Sequence, residues 1–111
     1  MIRVTMLCEK GKPVGFRMSG HAEQGEPGED LVCAAVSAVV QTAILGITEV
    51  LHLQAAVAMN PEGETSCVLA RDTNPKAAKQ AALLLDTMHA GLRSIESGYP
   101  GTLKFDSKEI T

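Results

Sequence analysis

The sequence predicts an α/β domain of the α+β kind: one small domain, element order β-β-α-β-β-α-β, with a mostly antiparallel sheet packed with two helices. Three observations carry this. Ile2, Val4, Met6 and Cys8, and then Val14, Phe16 and Met18, alternate with polar or small neighbours, the period of a strand. Leu31 to Thr48 contains no charge and is rich in alanine, which predicts a helix apolar on most faces and buried between other layers. Ala77, Ala81, Leu84, Met88, Leu92 and Ile95 recur at three- and four-residue steps, the stripe of a second helix.

The elements follow in order. "EKGK" turns the chain between the first two strands, which therefore form a hairpin. Ser19 to Asp30 is a loop longer than the usual connection of about four to six residues. Asp30 can cap the first helix, which should run from about Leu31 to the region of Leu53. "LQAAVAM" and "ETSCVLA" read as two short strands around the turn residues "NPEGE". Asn74 followed by Pro75 predicts the start of the second helix, a cap and then proline at the first helical position. Gly98 and Pro100 end that helix, and "TLKF" supplies the last strand.

The totals narrow the function. The chain has 111 residues, 45% of them apolar and 21% charged, which are globular proportions with room for one core. The formal net charge is -3, Lys and Arg are scattered along the chain, and there are one Tyr, two Phe and no Trp. That is a poor supply for stacking bases, so no direct nucleic-acid contact is expected. Three cysteines, an odd number, and an N-terminus "MIRVTMLCEKG" without an apolar h-region fit a cytoplasmic protein with free thiols. Leu31 to Thr48 just meets the length of a membrane span, but Ser37, Gln41, Thr42, Gly46 and Thr48 dilute it, and a core helix is expected instead. No CxxC, HxxxH or HExxH spacing occurs and no glycine loop suits a phosphate, so no metal and no other cofactor is expected.

The stretch "GHAEQGEPGEDLVCAAVS", from Gly20 to Ser37, concentrates the candidate chemistry. With Asp30 as cap, Cys33 is the third helical residue, among unpaired backbone N–H groups that favour an anion. The thiolate is the nucleophile, and the same N–H groups can receive the oxyanion of a tetrahedral intermediate. Equally, "LVCAAV" can be plain core, since free cysteine packs as a small hydrophobe. His21 bears on that choice. Gly20 before it permits unusual backbone geometry, and a folded-back loop brings the imidazole to the thiol, the minimum set for thiol-based acyl transfer. A solvated loop histidine remains the other reading.

Asp30 either orients His21 or only caps the helix. Ser37, four residues after Cys33, shares its helix face and either holds a substrate group or bonds back to the helix. Between His21 and Cys33, Gly25 and Gly28 are hinges, and Glu23, Glu26, Glu29 and Asp30 form an acidic cover suited to a basic polypeptide. Cys8 and Cys67 lie in strand patterns as packing residues. His52 sits near the end of the first helix, and His89 beside the stripe of the second.

"SGHA", a spacer with two glycines and "DLVCAAVSAV", with twelve positions from His21 to Cys33, resemble the Prp family of ribosomal-processing cysteine proteases. The "DTN" before the second helix, the order of elements and the length extend the resemblance over most of the chain. The resemblance implies that His21 and Cys33 form a catalytic dyad; in the reading that follows, Asp30 and Ser37 support the arrangement. The loop with Gly20, Glu23, Gly25, Glu26, Gly28 and Glu29 is implied to close over bound peptide. It also implies a homodimer, and a substrate that is a bacterial large-subunit ribosomal protein, the one numbered twenty-seven, whose short N-terminal extension is removed before assembly. The two competing readings are a non-catalytic ribosome-associated module that binds a basic protein, and a redox thiol protein, for which no resolving cysteine lies near Cys33 in sequence.

Overall fold

A computed structural model describes residues 1–20, 29–60 and 63–110, with only the backbone of residues 29 and 30. The strands are β1 (Ile2–Glu9), β2 (Lys12–Ser19), β3 (Ala55–Met59), β4 (Thr65–Leu69) and β5 (Leu103–Glu109). The helices are α1 (Glu29–Leu45), continued by a π-helical turn over Gly46–Val50, and α2 (Pro75–Gly98). The order is the one expected from sequence.

The strands form one sheet in the order β3-β4-β2-β1-β5. Three neighbouring pairs are antiparallel, and β1 runs parallel to β5. Lys10 and Gly11, both at positive φ, make the β1–β2 turn, the geometry that suits the twist of a two-residue hairpin. The Glu109 carboxylate accepts their N–H groups at 3.0 and 2.7 Å, tying that turn to the far end of β5.

Each helix links two parallel strands, α1 from β2 to β3 and α2 from β4 to β5. The two crossovers move in opposite directions across the sheet from strands that point in opposite directions. Right-handed connections then place both helices on the same face. The burial agrees. Ile2, Val4, Met6, Phe16, Met18, Cys67, Leu69 and Leu103 are buried on that face, while Arg3, Arg17 and Lys104, one position away, are exposed.

α2 contributes Ala77, Ala81, Leu85, Met88 and Leu92 to the core. Asn74 caps it, its Oδ1 accepting the Ala77 N–H at 2.9 Å, and Pro75 takes the first position. Leu85, rather than the expected Leu84, holds the central place; Leu84 is half-buried and lies against Gly46 of the π turn, within 2.9 Å of where a Cβ would stand. α1 buries the stripe Val32, Val36, Val40, Ala43 and Ile44, continued by Ile47. Its burial is one-sided, however. Leu31, Leu45 and Val50 remain 60%, 54% and 72% exposed, so a segment apolar all round has only one face covered within this chain.

His89 seals the junction of α2 and β5. Its ring meets Phe105 edge to face, with centroids 5.3 Å apart, and its Nε2 is buried without a hydrogen-bond partner among the described residues. Burial holds its pKa below the usual histidine value, Arg93 pushes the same way, and Asp86 opposes. The unfolded chain therefore takes up a proton at a pH where the folded chain resists it. This contribution is complete above the ordinary value of about 6.5 and is lost as pH falls below it. The urea midpoint is expected to fall between about pH 7.5 and 5.5 by more in the unmodified protein than in His89→Phe. Parallel curves for the two proteins would remove this role.

Candidate active site

β2 ends at Ser19, and Gly20 follows at φ +94°. A Cβ there would collide with the Met1 carbonyl and stand 3.6 Å from the Ile2 Cα. The chain thus leaves the sheet in a conformation open to glycine, pressed against the start of β1, and the next residue is His21. His21, Glu23, Gly25, Glu26 and Gly28 themselves lie outside the described residues.

The chain re-enters at α1. The helix begins at Glu29, two residues before the expected Leu31, because its first turn takes in the acidic residues that suit a helix N-terminus. Asp30 is therefore its second residue instead of its cap, and Cys33 is the fifth instead of the third. The correction changes which groups surround the thiol. The N–H groups of Glu29, Asp30 and Leu31 have no acceptor within the helix, and Cys33 lies two residues beyond the last of them. Helical side chains tilt toward the N-terminus, so the Cys33 thiol leans over the turn that carries those donors.

Cys33 is half-buried, packed against the core beside buried Val32 and Val36 and next to exposed Leu31 and Ala34. One side of the thiol is held by packing and the other opens toward solvent. Ser37 lies one turn on, also half-buried. Among the described residues its hydroxyl is not bonded back to the helix, whereas Thr42 and Thr48 donate to the carbonyls of Ala38 at 2.6 Å and Ile44 at 3.0 Å. Ser37 is thereby left with a hydroxyl for another partner on the Cys33 face.

All three cysteines are free thiols. Cys67 is fully buried in β4, and burial pushes its pKa up, which makes it a packing residue. Cys8 is half-buried in β1 with its Sγ 3.9 Å from the Ser107 Oγ, at the opposite end of that strand from Gly20. His52 is exposed at φ +54°, the left-handed residue that ends the π turn. The sequence reading missed Leu31, an exposed apolar side chain two residues before the thiol. The charge-free run that predicted burial of the helix hid it.

The described part of the site is thus a half-exposed cysteine in the first turns of a core helix, with Gly20 at the end of β2. The model of the family described as cysteine protease Prp matches residues 1–104 and places the chain among cysteine proteases. The ribosomal processing cysteine protease Prp of Bacillus subtilis is 31% identical over 99% of this chain and all of its own. That of Staphylococcus aureus is 31% identical over 90% of this chain and 92% of its own. The chain belongs to the cysteine protease Prp family. Its fold also superposes on an S. aureus Prp crystal structure in complex with a covalently linked product peptide, with a TM-score of 0.81 and 29% identity over 97% of this chain and all of that one. A second S. aureus structure, in complex with a substrate peptide, gives 0.82 at 27% identity over the same shares.

Proposed function

We propose that this chain is an endopeptidase that removes the short N-terminal extension of large-subunit ribosomal protein twenty-seven before ribosome assembly, using Cys33 and His21. The observation that carries the reading is the half-exposed Cys33 within the first two turns of α1, next to the turn whose N–H groups have no acceptor within the helix. His21 takes the thiol proton as sulfur attacks the scissile carbonyl carbon. The carbonyl oxygen becomes an oxyanion held by the N–H groups near the helix start. The intermediate collapses to a thioester as the C–N bond breaks, and His21 returns the proton to the departing amine. Water, deprotonated by His21, then releases the acid and restores the thiol. The covalently linked product peptide of the S. aureus relative supports a covalent route.

Asp30 acts from the first turn as support for His21, and Ser37 holds the substrate backbone near the thiol. Glu23, Glu26 and Glu29 draw a basic polypeptide toward the loop that starts at Gly20, with Gly25 and Gly28 as its hinges. Free thiols suit a reducing cytoplasm. The test is incubation with the basic ribosomal protein bearing its extension, read by mass spectrometry. A product shortened at one N-terminal bond supports the reading; binding without cleavage would instead mean a docking module.

The uncovered face of α1 supports a homodimer. Leu31, Ala34, Ala38, Gln41, Thr42 and Leu45 are exposed, uncharged and spaced for one helix face. Sedimentation equilibrium should give twice the 11.7 kDa chain mass, and Leu45→Glu should shift it to the monomer. A monomer in the unmodified protein at high micromolar concentration would exclude the dimer.

A further inference from the structure

The face of the sheet turned away from both helices is where the scattered cations of the sequence meet. Arg3 of β1 is in register with Lys104 of β5 on one side and with Ser19 of β2 on the other. Arg17 of β2 is in register with Thr5 of β1 and with Ser66 of β4. Lys108 stands beside Leu7 on the same face. Adjacent strands are about 4.8 Å apart, which puts Arg3 beside Lys104. Arg17 is diagonal to Arg3 across one strand pair, about 7–8 Å away. All four cations are exposed, and among the described residues Arg3, Arg17 and Lys104 have no ion-pair partner. The carboxylates in the neighbourhood are Asp106, between Lys104 and Lys108 on β5, and Glu64, at the β3–β4 turn, where it borders a cavity of about 350 Å³ with Arg17 and Ser66. A chain of net charge -3 thus carries one surface on which positive charge predominates.

We infer that this face docks the phosphodiester backbone of structured RNA, a contact that the scattered cations and scarce aromatics of the sequence argued against, because only strand register gathers those cations. An acidic protein partner would need an apolar centre to exclude water around its ion pairs. Here the positions between Arg3, Arg17 and Lys104 are Thr5, Ser19 and Ser66, hydroxyls with no aromatic side chain, while the apolar residues of this face, Leu7, Val68, Ala56 and Ala58, lie away from Arg3 and Lys104 toward Gly15 and β3. Cations interleaved with hydroxyls, without stacking groups, match recognition of phosphate and 2′-hydroxyl along a helix and not of bases. The inference does not rest on the protease reading. The thiol lies on α1, and both helices pack against the opposite face of the sheet.

The test is fluorescence anisotropy of the full chain with a labelled RNA hairpin carrying a stem of about 16 base pairs, the span of a shape-reading domain. Three phosphate contacts give a log–log salt slope of about -2 to -3, so affinity should drop about 15- to 60-fold between 50 and 200 mM KCl. Arg3→Gln, Arg17→Gln and Lys104→Gln should each lower the slope by about one. Lys76→Gln with Lys79→Gln, on exposed positions of α2, should leave it unchanged. Arg3→Lys with Arg17→Lys retains the charges and should retain the slope. No binding at 50 mM, glutamine variants that bind like the parent, loss of the slope in the lysine variant, or equal displacement of the hairpin by polyglutamate would each overturn the inference.

Discussion

Cys33→Ala is expected to abolish peptide cleavage, lowering kcat by about 10⁴-fold or more, while the protein stays folded. The thiol is half-buried, so truncation to alanine removes one sulfur from the edge of the core and leaves Val32 and Val36 packed. A melting temperature close to the parent separates lost chemistry from lost structure. His21→Ala should reduce kcat by about 10²- to 10⁴-fold, the span for a general acid–base group. The double variant should be little worse than Cys33→Ala, because a base without its nucleophile has no proton to take. Cleavage that survives Cys33→Ala would move the nucleophile elsewhere. The other two thiols would then divide by burial, since Cys67 is sealed in the core with its pKa pushed up, whereas Cys8 is half-buried.

Phe16→Ala should destabilise the fold by about 3–5 kcal/mol, the cost of truncating a large buried side chain and leaving the space partly unfilled. Phe16 is fully buried on β2, in register with Met6 on one side and Cys67 on the other, and so belongs to the middle of both the sheet and the core. Domains of this size are stable by about 5–15 kcal/mol, so most of the margin goes. Urea unfolding measures it. The companion Val57→Ala, on the half-paired edge strand β3 where the side chain is 42% exposed, should cost far less. Comparable losses in the two would mean that the core is not centred on β2.

The order of elements was legible because each carried its own local chemistry. Alternation marked β1 and β2, and Asn74–Pro75 marked the start of α2, where the Asn74 side chain caps the helix. The first difference was at α2, where Leu83, Leu84 and Leu85 are consecutive: periodicity cannot decide among three leucines, and packing against the sheet selected Leu85. The length of β5 was cut short because beyond Phe105 its residues are polar, as befits an edge with one neighbour. At the candidate site, the unusual backbone of Gly20 was readable from its residue type, and its φ of +94° agrees. The N-terminal extension of α1 by two residues was not, since Glu29 and Asp30 suit both a cap and a first turn. Least legible was the cationic face. Arg3 and Lys104 are at opposite ends of the chain, and only strand register makes them neighbours.

That same register bears on how the molecule assembles. The hairpin of β1 and β2 is local and can close in microseconds. The parallel edge of β1 can close only on β5, and the Glu109 contact to the hairpin turn spans 99 residues of chain. Such non-local pairings carry the full entropy of loop closure and slow a domain toward the millisecond-to-second range. During synthesis one side of β1 therefore stays an open edge until Leu103–Glu109 has emerged, although the helix bearing the thiol is made much earlier. The order of synthesis thus delays completion of the sheet until nearly the whole described chain exists.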